Sequence, residues 1–153
     1  MNDLARILLV EDSALDAELA VRALGESHLA NEVLHLQNGA EALDYLFRRG
    51  EFAREAGALP AVVLLDLKMP KVDGMEVLRQ IKADAVLKVI PVVLMTSSRE
   101  EQDLVESYKL GVNAYIVKPV QFETFVEAVK QVGAFWAVLN EPPTICISKS
   151  PGK

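Results

Sequence analysis

The chain has 153 residues, a length typical of one domain, and 51% of them are hydrophobic against 25% charged. That apolar content excludes an intrinsically disordered chain, and no apolar run approaches the roughly 18 residues a membrane-spanning helix needs. A formal net charge of −6 favours solubility and argues against nucleic acid, whose binding is driven by phosphate neutralisation.

Ile7-Leu8-Leu9-Val10 has the length of a strand. It is too short for the apolar stretch of a signal peptide and stops at Glu11-Asp12, so the expected location is the cytoplasm. Ser13 occupies an N-cap position before a helical segment from Ala14 to Leu24. Glu32 to Leu36 is a weaker strand. Asn38-Gly39-Ala40-Glu41 opens a helix that runs to about Arg49, with Glu41 at the reciprocal position of a capping box. Gly50 to Pro60 reads as a long loop. Ala61 to Leu65 is a continuous apolar run, as expected for a strand buried on both faces. Pro70 and Gly74 punctuate the next loop, and Met75 to Ala83 is amphipathic, with Val77, Leu78 and Ile81 on one side. Pro91 to Met95 is a second buried strand. Ser98-Arg99-Glu100-Glu101 is a capping box, and Gly111 suits the position just past that helix. Ala114 to Val117 is a fifth strand, and Gln121 to about Leu139 the last helix. The single cysteine, Cys146, excludes an internal disulfide framework and a cysteine-based metal cluster.

This βα alternation, repeated five times, predicts an α/β fold: a doubly wound, five-stranded parallel sheet of order 2-1-3-4-5 with helices on both faces. Ligands in such folds sit beyond the carboxyl ends of the strands. There the first strand ends in Glu11 and Asp12 and its neighbour, the third, in Asp66. Solvated loop acids are common, but three on adjacent strand ends need a compensating charge. A hard divalent cation with oxygen ligands, Mg2+ above all, is the simplest. The fourth strand ends in Thr96 and Ser97, whose hydroxyls can donate to an anionic oxygen. The fifth ends in Lys118-Pro119, which would aim an ammonium across the same crevice. Acids, hydroxyl and amine together form an inventory for phosphoryl transfer, in which an aspartate can serve as nucleophile.

These residues resemble the receiver domain of two-component response regulators, which has a flavodoxin-like fold. The resemblance spans about Arg6 to Leu139. It rests on Ile7 to Ser13, on Leu64-Leu65-Asp66-Leu67-Lys68-Met69-Pro70-Lys71-Val72-Asp73-Gly74, on Met95-Thr96-Ser97, and on Ala114-Tyr115-Ile116-Val117-Lys118-Pro119. It implies that Asp66 is the phosphoacceptor, loaded by a sensor histidine kinase. It implies that Asp12 ligates Mg2+ directly, Glu11 through water and Lys68 through its backbone carbonyl. Thr96 and Lys118 would hold the phosphoryl group. Tyr115 would be the aromatic switch residue, turning inward as Thr96 moves and remodelling the face of the fourth helix, fifth strand and fifth helix. The bland reading of Tyr115 is an edge-strand aromatic that only packs.

The expected organisation is a receiver domain over residues 1–139 and a C-terminal tail over 140–153, with no output domain. The long loop and the segment Phe135 to Pro143 resemble single-domain regulators that partner phytochrome-type sensor kinases. In the last helix Phe122, Phe125, Val126, Val129, Val132 and Trp136 follow core spacing, while Ala128, Phe135 and Val138 form a second apolar stripe. That stripe leads to the expectation of a homodimer through the last helix and C-terminal region, unless the tail folds back over it.

Three rival readings are weaker. An aspartate-nucleophile phosphatase resembling the haloacid dehalogenase family needs an acid where Lys68 stands. A flavin binder needs a hydroxyl- and glycine-rich phosphate loop where Glu11 to Asp16 stands, and neither GxGxxG nor GxxxxGK[ST] occurs. A pseudo-receiver, binding proteins without phosphorylation, has no need of the full set of acids, Thr96 and Lys118. His28 and His35 have no paired Ser or Cys nucleophile, and His35 falls on or near the second strand.

Overall fold

The structure is a computed structural model that describes residues 6–26, 32–54, 57–69, 71–96, 101–117 and 146–147. Its centre is a parallel sheet of β1 (Ile7–Val10), β2 (Val33–Leu36), β3 (Val62–Leu65), β4 (Val92–Thr96) and β5 (Ala114–Val117). The spatial order is β2-β1-β3-β4-β5, as the sequence predicts. The register is unbroken around the switch point: β1 pairs with β2 from Ile7↔Val33 to Val10↔Leu36, and with β3 from Ile7↔Val62 to Val10↔Leu65.

The uninterrupted apolar strands follow from burial on two faces. Alternate residues of each strand point opposite ways. Leu8, Val10, Val63, Leu65 and Leu94 pack with Leu43, Leu46, Val77, Leu78 and Ile81 of α2 (Gly39–Leu46) and α3 (Gly74–Ala83). Ile7, Leu9, Val62, Leu64 and Val93 pack with Ala17, Ala20 and Leu24 of α1 (Ala14–Glu26). The expected last helix, Gln121 to about Leu139, lies outside the described residues. In α4 (Glu101–Lys109) Ser107 is buried, whereas Leu104, Val105 and Tyr108 are exposed.

The caps are where side-chain chemistry sets the boundaries. Ser13 Oγ accepts from Asp16 N at 3.2 Å, and Asn38 Oδ1 accepts from Glu41 N at 2.9 Å. The reciprocal Glu41 carboxylate, expected on Asn38, takes the Gln37 N–H instead, at 2.9 Å. α2 stops at Leu46 and not near Arg49, because Arg48 adopts φ 57° and ends the ladder. α3 begins at Gly74, with Asp73 Oδ1 accepting from Glu76 N at 3.0 Å. The Ser98 capping box lies outside the described residues. Lys82 joins α3 to the turn before β4, donating to the carbonyls of Lys88 and Ile90 at 3.0 and 2.9 Å. Burial holds that ammonium below the ordinary lysine value.

The long loop after α2 is not featureless. Gly50–Phe52 forms a 3-10 turn, and Gly57–Ala58 pairs antiparallel with Cys146–Ile147 of the tail. Cys146–Ile147 therefore lies beside this loop. No helix among the described residues is long and apolar enough to cross a membrane.

At the end of α4, Gly111 N–H donates to the Tyr108 carbonyl at 3.1 Å and Val112 N–H to the Ser107 carbonyl at 3.0 Å. Gly111 sits at φ +97°, the pattern of a Schellman motif. Gly111→Ala should lower unfolding free energy by about 1–2 kcal/mol, the cost of a Cβ in left-handed backbone. Gly111→Asn should recover part of it, as read by urea denaturation.

Candidate functional site

The site follows from the register. Because Val10 and Leu65 are partners on adjacent parallel strands, the next residues of both chains emerge side by side. Asp66 N–H donates to the Val10 carbonyl at 3.0 Å, and Glu11 N–H to the Leu36 carbonyl at 3.1 Å. These bonds carry the sheet one residue past its formal end and fix where both acids start. One carboxylate oxygen from each of Glu11, Asp12 and Asp66 lies within 4.8 Å of the other two. Glu11 is 4% exposed and Asp66 7%, whereas Asp12 is open to solvent. Ser13 N–H donates to Glu11 Oε2 at 3.2 Å, so the turn into α1 orients that carboxylate.

Like charges this close, two of them shielded from water, favour a bound cation. A donor set of carboxylate oxygens suits Mg2+ or Mn2+ and lacks the nitrogen and sulfur that Zn2+ or Cu2+ prefer. The chemistry of the site therefore fits a hard divalent ion.

The loop after β3 forms the other wall. Gly74 N–H donates to the Leu67 carbonyl at 2.8 Å, folding the loop back on itself. Lys71 holds φ 65°, a left-handed conformation costly for a lysine. Lys68 is half exposed and pairs with Asp103 of α4 at 3.4 Å. Both line a hollow of about 490 Å3 between this loop, α3 and α4, together with Asp73, Glu76 and Arg79.

Thr96 is the last residue of β4, opposite Val117 of β5; only its backbone is described. Tyr115 lies on edge strand β5 opposite Leu94, part-buried against the core. Lys118 and Pro119 lie outside the described residues. The structure thus brings Glu11, Asp12 and Asp66 together and places Lys68, Thr96 and Tyr115 on the elements that frame them.

Sequence reasoning missed three contributors. Asp73, three residues before Glu76, is a cap signal that was legible. Gly74 stands in the sequence as loop punctuation and as the end of a family motif; its steric role, a close approach to Asp66 and Leu67, shows only in the fold. His35 was placed near β2 without a role, yet its Nε2 lies 2.9 Å from the Glu11 carbonyl oxygen.

Comparison with known proteins agrees with this geometry. The response regulator receiver domain family matches residues 7–130, and the chain belongs to that family. Response regulator Rcp1 of Synechocystis sp. is 41% identical over 130 residues, covering 85% of this chain and 87% of Rcp1. The structure of its Mn2+-bound form superposes with a TM-score of 0.86 at 38% identity, over 92% of this chain and 99% of that one. The phosphorylated cyanobacterial phytochrome response regulator RcpA gives a TM-score of 0.86 at 40% identity, with the same coverage. The bacteriophytochrome response regulator RtBRR is 58% identical, with a TM-score of 0.74, over 92% of this chain and 84% of that one. The flavodoxin-like receiver fold and a phosphoacceptor role follow from family membership, and phytochrome-associated regulators are among the relatives.

A Cβ on Gly74 would lie 2.8 Å from Leu67 Cα and closer still to the Asp66 carbonyl oxygen. Both obstacles are backbone, so the loop itself must give way. Gly74→Ala should cost on the order of 1–3 kcal/mol in stability. Its largest amide shift changes, in a heteronuclear NMR spectrum, should fall on Asp66 to Lys68.

Proposed function

We propose that this chain is a response regulator whose Asp66 accepts a phosphoryl group from a sensor histidine kinase in a Mg2+-dependent relay. The observation that carries the reading is the cluster of Glu11, Asp12 and Asp66 within 4.8 Å at the ends of adjacent strands. In the reaction an Asp66 carboxylate oxygen forms a bond to phosphorus as the nitrogen–phosphorus bond to the kinase's imidazole breaks. The imidazole keeps the electron pair and takes up a proton. Glu11, Asp12, Asp66 and the Lys68 carbonyl would hold Mg2+, which supplies neutralising charge to the phosphoryl oxygens. The same site would catalyse later hydrolysis of the aspartyl phosphate.

Thr96 and Lys118 are assigned to the phosphoryl oxygens. Phosphorylation adds about −1.5 to −2 charges at the crevice, which draws both residues inward. Tyr115, part-buried on the edge strand, would then turn inward with Thr96. The face of α4, β5 and the helix from Gln121 to Leu139 would be the responding surface. The exposed Leu104, Val105 and Tyr108 on α4 support that assignment, because apolar groups at i, i+1 and i+4 make a contact patch.

We assign residues 1–139 to the receiver domain and 140–153 to a tail, and place the protein in the cytoplasm. The phytochrome-associated relatives favour a phytochrome-type kinase as donor.

The test is intact mass after incubation with acetyl phosphate. One phosphoryl group should be gained with Mg2+ and none without it or in Asp66→Asn. The phosphorylated sample should show amide shift changes on α4 and β5. No gain, together with no Mg2+-dependent binding of beryllofluoride, would replace this reading with a phosphorylation-independent binding module.

A homodimer through the last helix and C-terminal region completes the proposal. Light scattering should report twice the chain mass at high concentration. A monomer throughout would overturn the dimer alone.

A further inference from the structure

Hydrogen bonds reach Glu11 at its N–H, its Oε2 and its carbonyl oxygen. Two were noted above: its N–H goes to Leu36, and its Oε2 accepts from Ser13 N–H. The third is to its carbonyl oxygen, from His35 Nε2 at 2.9 Å. The reason a side chain is needed there lies in the sheet. The β1–β2 ladder ends at Val10↔Leu36; the next parallel rung would come from the N–H of Asn38, the residue at which the backbone turns into α2. The Glu11 carbonyl therefore sits one position beyond the last rung.

His35 is placed to fill that gap. It is the partner of Leu9 on β2, part-buried, on the side of the sheet that faces α1. Its ring lines a groove beside Ala14, Ala17 and Glu18 while Nε2 reaches in to the carbonyl. The carbonyl has no proton, so the ring must donate, which it can do as the Nε2–H tautomer or as the cation.

The bonded group is one half of the peptide that joins Glu11 to Asp12. Fixing that peptide plane fixes the N–Cα bond of Asp12 and so narrows the directions in which its side chain can leave the backbone. Asp12 is the exposed member of the acid cluster and has the least packing around it. We propose that His35 is a positioning residue for the divalent-cation site: its Nε2–H pins the Glu11–Asp12 peptide so that the Asp12 carboxylate stays against Glu11 and Asp66. This inference rests on the cation reading given above. The groups that orient the ligands of a metal site typically change affinity about 10–100-fold when removed.

The experiment is a direct Mn2+ and Mg2+ titration of the full chain by calorimetry, with thermal unfolding measured in chelator. His35→Phe keeps the ring bulk and removes the donor, and His35→Gln keeps a donor. The expected result is about tenfold weaker cation binding in His35→Phe, with His35→Gln within about threefold of wild type. The rate of phosphorylation by acetyl phosphate should show the same pattern. The Mg2+ concentration for half-maximal rate rises in His35→Phe, while the rate at saturating Mg2+ stays near wild type. A purely structural role would instead lower the unfolding temperature in chelator and leave the Mg2+ dependence of the rate alone. Wild-type affinity in a folded His35→Phe overturns the inference and leaves the cation reading intact. Should His35→Phe not fold, a tenfold loss in His35→Leu with recovery in His35→Gln supports the inference, and equal affinity in both overturns it. Absence of cation binding by the wild type overturns the cation reading itself, and the inference with it.

Discussion

The parallel pairing of β1 with β3 is the constraint on which the site depends. Register places Val10 beside Leu65, and the two chains leave the sheet carrying Glu11-Asp12 and Asp66 into one volume. No local preference of either segment produces that meeting. It costs electrostatic free energy, since two of the carboxylates are shielded from water. The surrounding bonds hold the arrangement against that repulsion. Asp66 N–H is tied to Val10, Glu11 N–H to Leu36, and the Glu11 side chain to Ser13. A strand pair buried on both faces is stiff, and that stiffness holds the three acids together against their repulsion, which a divalent cation would offset.

The walls of the crevice differ in how firmly they are held. On the β1 side the acids hang from ladder bonds and a helix cap. On the β3 side Gly74 lies so close to Asp66 and Leu67 that no Cβ fits, and Asp73 caps α3 directly behind the loop. α4 is held differently. Its Schellman end is firm, but its body leaves Leu104, Val105 and Tyr108 exposed and reaches the β3 loop through the half-exposed Lys68–Asp103 pair. Exposed ion pairs contribute at most about 1 kcal/mol.

Much of this was legible in the sequence because it depends on local chemistry. Unbroken apolar runs marked the two-faced strands within a residue of their observed ends. Ser13, Asn38 and Gly111 marked helix boundaries by capping and by left-handed backbone. The acid cluster was legible at one remove, through strand order. What was not legible rests on non-local partners. The bridge between Gly57–Ala58 and Cys146–Ile147 is two residues long and joins segments far apart in the chain, with no periodicity to betray it. α2 ended early because Arg48 turned left-handed, which arginine rarely does. His35 looked like an ordinary strand residue, since its carbonyl partner is found only when β2 is laid beside β1.

The asymmetry between the two walls gives the proposed switch its direction. Charge added at Asp66 pulls on whatever surrounds it, and displacement is largest where restraint is weakest. The acids of β1 and the loop behind Asp66 are each fixed by backbone bonds or by close backbone contact. Among the described residues α4 meets the loop through the Lys68–Asp103 ion pair, and its Leu104, Val105 and Tyr108 are exposed. In the proposed mechanism the sheet therefore serves as the anvil and α4, with β5, as the part that moves. The same argument explains why a positioning bond such as that of His35 belongs on the β1 side. A cation site tolerates little drift in its ligands, and the place to suppress drift is the half of the crevice that does not have to respond.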